Sequence, residues 1–230
     1  MIPPLVRTGR KIECFACCAR ESFDAGFFDL FHPRPEELDA VIGSIEGGGL
    51  AESVLTAGLQ VSLRCLIRQK VAMADAVGEI NRIFWELAPD KVQGTLLSAR
   101  ADAASRSIRY INAGHHTAIL LRTGGGVEYL EPTAPPLALC RKNCFRERRL
   151  PFEPGDVFIT ASGDIGRATV NELIGGYLAR MRRRDWPAAI AEEVQRGGPR
   201  IVMVVSYRDE ENRSGAHGRP VAPPVMTAAA

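Results

Sequence analysis

The chain has 230 residues, 46% of them hydrophobic, which is ordinary for a packed globular core and enough for one large domain. Lys and Arg number 29 against 27 Asp and Glu, and a net charge of +2 makes no field that would argue for nucleic acid or an anionic membrane as the main partner. No run approaches the roughly 18 apolar residues that a spanning helix needs, and the first ten residues lack the apolar core of a signal peptide, so a cytoplasmic protein is expected.

Residues 1–11 read as a short lead, and the segment KIECFACCAR that follows reads as a strand. Cys14 and Cys17 make a CxxC, but residues three apart on a strand point to opposite faces and cannot easily share one metal. All six cysteines, with Cys18, Cys65, Cys140 and Cys144, are therefore expected as reduced thiols, as suits a chain with no secretion signal.

The run LDAVIGSI over residues 38–45 predicts a buried strand entering a tight turn at Gly47, Gly48 and Gly49. A helix is predicted over residues 50–69, where Leu55, Leu59, Leu63 and Leu66 share one face, and a second over 74–87, with Val77, Ile80, Phe84 and Leu87 facing the core and Pro89 as its stop. Five short β-like segments then follow (VQGTLLSAR, SIRYINAG, TAILLRT, VEYLE and VFITA), separated by turn signals and read as an antiparallel meander. Helices are predicted over 170–183 and 186–196. The first ends in the basic run Arg180, Arg182, Arg183, Arg184, which suits a solvated helix terminus. A last strand spans 201–205, and a Gly-, Pro- and Ala-rich tail begins at residue 209. This order gives an α+β layered domain over residues 12–208.

Two passages carry a resemblance. Y-I-N-A-G-H-H at residues 110–116, then A-I-L-L-R at 118–122, G-G-G-V at 124–127 and L-E at 130–131, is similar to the "Y-x-N-A-G-H-x-P…LLR…G-x-V…L" passage of the SpoIIE/RsbU-like branch of the PPM-type, metal-dependent phosphatases, with Thr117 in place of the usual Pro. P-P-L-A-L at 135–139 and L-P-F-E-P-G-D-V-F at 150–158 resemble that family's "PLGL…L-x-PGD" passage. The resemblance runs from about Ile12 to Arg208 and implies a central antiparallel β-sandwich flanked by helices, an αββα arrangement. Within that passage His115 and His116 are expected to pack a turn rather than to catalyse.

The family's activity implied by this resemblance is hydrolysis of phosphoserine or phosphothreonine on regulatory proteins such as anti-sigma-factor antagonists, through two Mn²⁺ or Mg²⁺ ions. Hard divalent ions want several converging carboxylates. In the first metal motif, here A-R-E-S-F-D-A-G-F-F-D at 19–29, the bridging Asp falls on Ala25 or Gly26, while Asp29 matches the last Asp. Ser44 takes the Asp position of the second motif, Ser162 that of the third, and Gly198 lies in the stretch replacing the fourth. A hydroxyl supplies neither the charge that offsets an ion's dehydration nor a bridge between two cations.

Asp24, Asp29, Glu46 and Asp164 lie near the lost positions and are the carboxylates from which a site could be rebuilt. Gly47, Gly48 and Gly49 can be read as a tight strand-to-helix turn or as an anion cradle at a helix start. Two functions stay open. One is a pseudophosphatase that binds a phosphorylatable regulatory protein, with no metal or other cofactor; the other is an active serine/threonine phosphatase that takes Mn²⁺ or Mg²⁺ in a rebuilt site. Neither involves nucleic acid or a membrane, and a homodimer is compatible with both.

Overall fold

The protein is seen in a computed structural model that describes residues 5–8, 11–18, 26–46, 50–88, 92–142, 144–163, 165 and 201–208. In chain order the strands and helices are β1 Leu5–Thr8, β2 Ile12–Cys18, β3 Gly26–Phe31, β4 Glu37–Glu46, α1 Leu50–Arg68, α2 Met73–Leu87, β5 Gln93–Asp102, β6 Ser107–Ala113, β7 Ala118–Leu121, β8 Val127–Leu130, β9 Arg148–Pro151, β10 Val157–Ala161 and β11 Ile201–Tyr207. They form two antiparallel sheets. Sheet A has the order β1-β2-β11-β10-β7-β8, and sheet B the order β3-β4-β5-β6-β9.

Period-two alternation explains why the sheets stack. Ile12, Cys14 and Ala16 of β2, Phe158 of β10 and Met203 of β11 enter one core with Leu30 of β3, Ala40 and Ile42 of β4, and Leu97 and Ala99 of β5. Cys17, three positions beyond Cys14, lies in a separate cluster on the other side of sheet A, as the strand reading of the CxxC requires. Cys14 and Cys17 are not joined in a disulfide, and burial raises the Cys14 thiol far above its ordinary range.

Helices α1 and α2 cover the outer face of sheet B, where Leu59, Leu63, Val77, Ile80 and Phe84 join Val41, Ile45, Leu96 and Ile111. Phe84 seats directly on Gly94 of β5, where a β-carbon would lie 2.4 Å from its ring. Leu87, expected on this face, is instead 65% exposed, because it is the last residue of α2, one turn beyond the place that Phe84 fills.

The expected meander divides between the sheets. Strand β6 pairs in sheet B, the β7–β8 hairpin in sheet A, β9 returns to β6, and β10 returns to β7. The first crossing is made at Gly114, whose φ of 66° suits a residue without a β-carbon. Asn112 holds it: its Oδ1 accepts from the His115 N–H at 2.8 Å, and its Nδ2 donates to the His116 and Leu130 carbonyls. Three strands carry no alternation that announces them: β1, inside the expected lead, β3, and the Arg-Arg-Leu-Pro strand β9. The helices expected over 170–183 and 186–196, the basic run Arg180 to Arg184, the stop at Pro89 and the tail from residue 209 lie outside the described residues.

Candidate functional site

Three of the four positions that the resemblance marks as lost ligands meet at one end of the sandwich. Gly26 pairs with Ser44 across β3 and β4, and Ser44 pairs with Thr95 across β4 and β5, so the three lie side by side in sheet B. All share the inner face with Phe28, Ile42 and Leu97. Ser162 follows β10 in sheet A, where its N–H donates to the Ile201 carbonyl at 2.9 Å and its Oγ accepts from the Ile201 N–H at 3.0 Å.

His115 joins the two sheets at this end. Its Nε2 lies 3.1 Å from the Ala161 carbonyl and its Nδ1 lies 2.9 Å from the Thr95 Oγ1, which is itself 2.9 Å from the Ser44 Oγ. A carbonyl only accepts, so Nε2 carries the proton and Nδ1 of the neutral ring accepts from the Thr95 hydroxyl, which leaves the Ser44 hydroxyl to donate to Thr95. Burial, helped by neighbouring His116, pushes the imidazole down to about 4, so the ring is neutral near pH 7 and the chain of bonds keeps this direction.

The ring of neighbours closes through Ile201. A β-carbon built on Gly26 would meet the Ile201 Cδ1 at 3.1 Å, so a side chain at 26 would project against an apolar group that would have to give way by a few tenths of an ångström. Gly26, Ile201, Ser162, Ala161, His115, Thr95 and Ser44 therefore form a closed, uncharged circuit.

These described donors do not fit the Mn²⁺ or Mg²⁺ pair that the family resemblance implies. Among the described residues no group of three or more His, Cys, Asp or Glu is placed to hold a metal ion. Both nitrogens of His115 are spent, and the Ser44 and Ser162 hydroxyls are neutral and bonded within the protein. Asp29 faces the helix layer instead: its Oδ2 accepts from Nε and NH2 of Arg64 at 2.9 and 2.6 Å, and its Oδ1 from the Leu30 N–H. Glu46 ends β4 opposite Gln93, with its side chain outside the described residues, as are Asp24, Ala25, Asp164, Gly198 and the turn Gly47, Gly48, Gly49.

Thr95 and Ile201 are the members of the circuit that motif reading does not single out. Their roles follow from strand register and from a packing contact, and no local pattern in GTLL or IVMV announces either. His115 lies in the best-matched passage, but its inter-sheet role depends on Ala161, which is 46 residues away.

A family model for Stage II sporulation protein E (SpoIIE) matches residues 34–163, more than half of the chain. Comparison with curated proteins finds no match. Among solved structures, the RsbU and RsbW domains of Rv1364c from Mycobacterium tuberculosis align with a TM-score of 0.71 at 20% identity, over 89% of this chain and 61% of that one. The PP2C phosphatase domain of SpoIIE from Bacillus subtilis, with a fragment of its regulatory domain, gives a TM-score of 0.71 at 14% identity, over 87% and 64%. RsbX in complex with magnesium gives 0.68 at 13%, over 88% and 98%. This chain thus spans less than two thirds of the first two, and identities this low speak for the fold alone. With the family match over strands β4 to β10 and the two-sheet sandwich around it, the chain belongs to the SpoIIE family of PPM-type phosphatase folds.

Proposed function

We propose that this chain is a pseudophosphatase: a SpoIIE-family fold that acts in bacterial signalling in the cytoplasm by docking a phosphorylatable regulatory protein, of the anti-sigma-factor-antagonist kind, without hydrolysing it. The observation that carries this reading is the neutral circuit at the end of the sandwich, in which Ser44 and Ser162 are bonded within the protein and an Ile201 methyl packs against Gly26. Phosphoryl transfer by two ions needs concentrated negative charge to hold them, and a circuit of hydroxyls, an imidazole and a carbonyl supplies none. A regulatory partner suits the setting of the fold in the M. tuberculosis protein, where an RsbU domain and an RsbW domain occur together.

The test is a calorimetric titration with Mn²⁺ run beside hydrolysis of p-nitrophenyl phosphate and of a phosphoserine peptide. Neither saturable binding nor turnover is expected at millimolar metal. Binding of two ions together with turnover would sink the reading and assign the chemistry to Asp24, Glu46 or Asp164. The variant Ser44→Asp/Ser162→Asp is expected to stay inactive and to lose about 2 kcal/mol of stability, because a carboxylate at 44 has no cation to meet. Mn²⁺-dependent hydrolysis by that variant would show that residues 25 and 26 are wrongly matched to the first motif.

A further inference from the structure

The strongest concentration of positive charge among the described residues plays no part in the circuit. Residues 140–149, CRKNCFRERR, contain five cations against Glu147 alone, a net +4, whereas the whole chain carries +2, so the other 220 residues carry −2. The segment is held in place over the helix layer. Asn81 of α2, buried at 2% exposure, donates from Nδ2 to the Cys140 and Arg141 carbonyls and accepts at Oδ1 from the Ala138 N–H. Phe145 is buried in the α2 cluster. Between and beyond these anchors Arg141, Lys142, Arg146 and Arg149 are all exposed.

Arg149 also ends a row across sheet B. Strand register places Asp39 beside Arg100, Arg100 beside Arg109, and Arg109 beside Arg149, with neighbours about 5 Å apart. Like charges directly opposite one another are unfavourable, and the first two arginines are answered: Arg100 by Asp39, and Arg109 by Glu147 at 3.2 Å. Among the described residues no carboxylate pairs with Arg149, on the edge strand.

We infer that Arg141, Lys142, Arg146 and Arg149 form a preorganised cationic ridge that docks a segment of a partner protein rich in Asp and Glu, whose carboxylates complete the row at the sheet edge. Charged residues on an edge strand also discourage strand-to-strand association, but Arg141, Lys142 and Arg146 lie off the strand. The single aromatic of the segment, Phe145, is turned inward, so the ridge has neither a stacking platform for bases nor an apolar wedge for a bilayer.

The inference rests on the reading of the chain as a binding module, and its test is separate from metal binding or turnover. Fluorescence anisotropy of a labelled decaglutamate peptide would be measured with the full chain at about 0.1 M salt, where charges interact over about 10 Å. The variant Lys142→Glu/Arg149→Glu is expected to bind at least tenfold more weakly, while Arg82→Glu, which reverses an exposed cation on α2, is expected to bind like the parent. Circular dichroism establishes that each variant is folded, and Lys142→Gln/Arg149→Gln gives an intermediate affinity if charge is the cause. Equal binding by parent and double charge-reversal variant would overturn the ridge, as would a decathymidylate that binds more tightly than the peptide.

Discussion

The two faces of sheet B handle polar groups in opposite ways. On the face turned to sheet A, the described side chains Ser44, Thr95 and Asn112, joined by His115, are all neutral. On the face turned to the helices, the same strands carry ion pairs: Asp29 with Arg64, Asp39 with Arg100, and Arg109 with Glu147. An unpaired charge inside the sandwich would forfeit its hydration with nothing in return, whereas the helix-facing side can supply arginines and leave them partly wet. Asp29 of β3 and Asp39 of β4 thus sit one pleat away from the inner face, and a one-residue shift on a strand is enough to take a ligand out of a metal site.

The neutral face is tested most severely by acid. The folded His115 ring gains a proton only as the pH falls to about 4, whereas its ordinary value is 6.5. The unfolded chain therefore binds the proton first, and acid favours unfolding. The stability that the neutral ring contributes is complete above pH 6.5 and is lost between 6.5 and 4, about 3 kcal/mol in all. Urea unfolding across that window is expected to show the loss in the parent and a flatter profile in His115→Gln. Equal slopes would mean that the ring is protonated in the fold and that the inner face is not neutral.

On the charged face, Asp39→Ala leaves the Arg100 guanidinium, whose side chain is only 18% exposed, without its partner at 2.6 Å. The expected cost is about 2 to 3 kcal/mol, at or just below the roughly 3–5 kcal/mol of a fully buried broken pair, because Arg100 keeps some water. Asp39→Leu/Arg100→Met is expected to recover most of it. Recovery would mean that the pair offsets its own desolvation and does little more; a double variant as damaged as the single one would make the ion pair a net source of stability.

The sequence made the layers legible because their signals are local. Leu59, Leu63, Val77 and Ile80 repeat at helical spacing, and Cys14 and Cys17 separate onto two faces by simple alternation. The division of the supposed meander between two sheets was not legible, since VEYL and RRLP do not state which strand they will pair with, and the crossing at Gly114 depends on Asn112 reaching Leu130, 18 residues on. At the site, the positions 26, 44 and 162 could be read from motifs. What replaced the ligands could not, because the Ser44 bond to Thr95 and the Ile201 contact with Gly26 join residues 51 and 175 positions apart.

The smallest expected effect has the opposite sign. Thr160 of β10 is fully buried, shares the inward side of its strand with Phe158, and its hydroxyl has no hydrogen-bond partner among the described residues. A lone buried hydroxyl is neutral, so the inner face tolerates it where it would not tolerate a carboxylate, but it still forfeits its water. Thr160→Val keeps the branched shape and removes that penalty, so a gain of about 1 kcal/mol is expected, read as a rise of about 2–4 °C in Tm. A fall in Tm would mean that the hydroxyl has a partner in solution, and that the neutral circuit reaches further into the sandwich than the bond from His115 to Ala161.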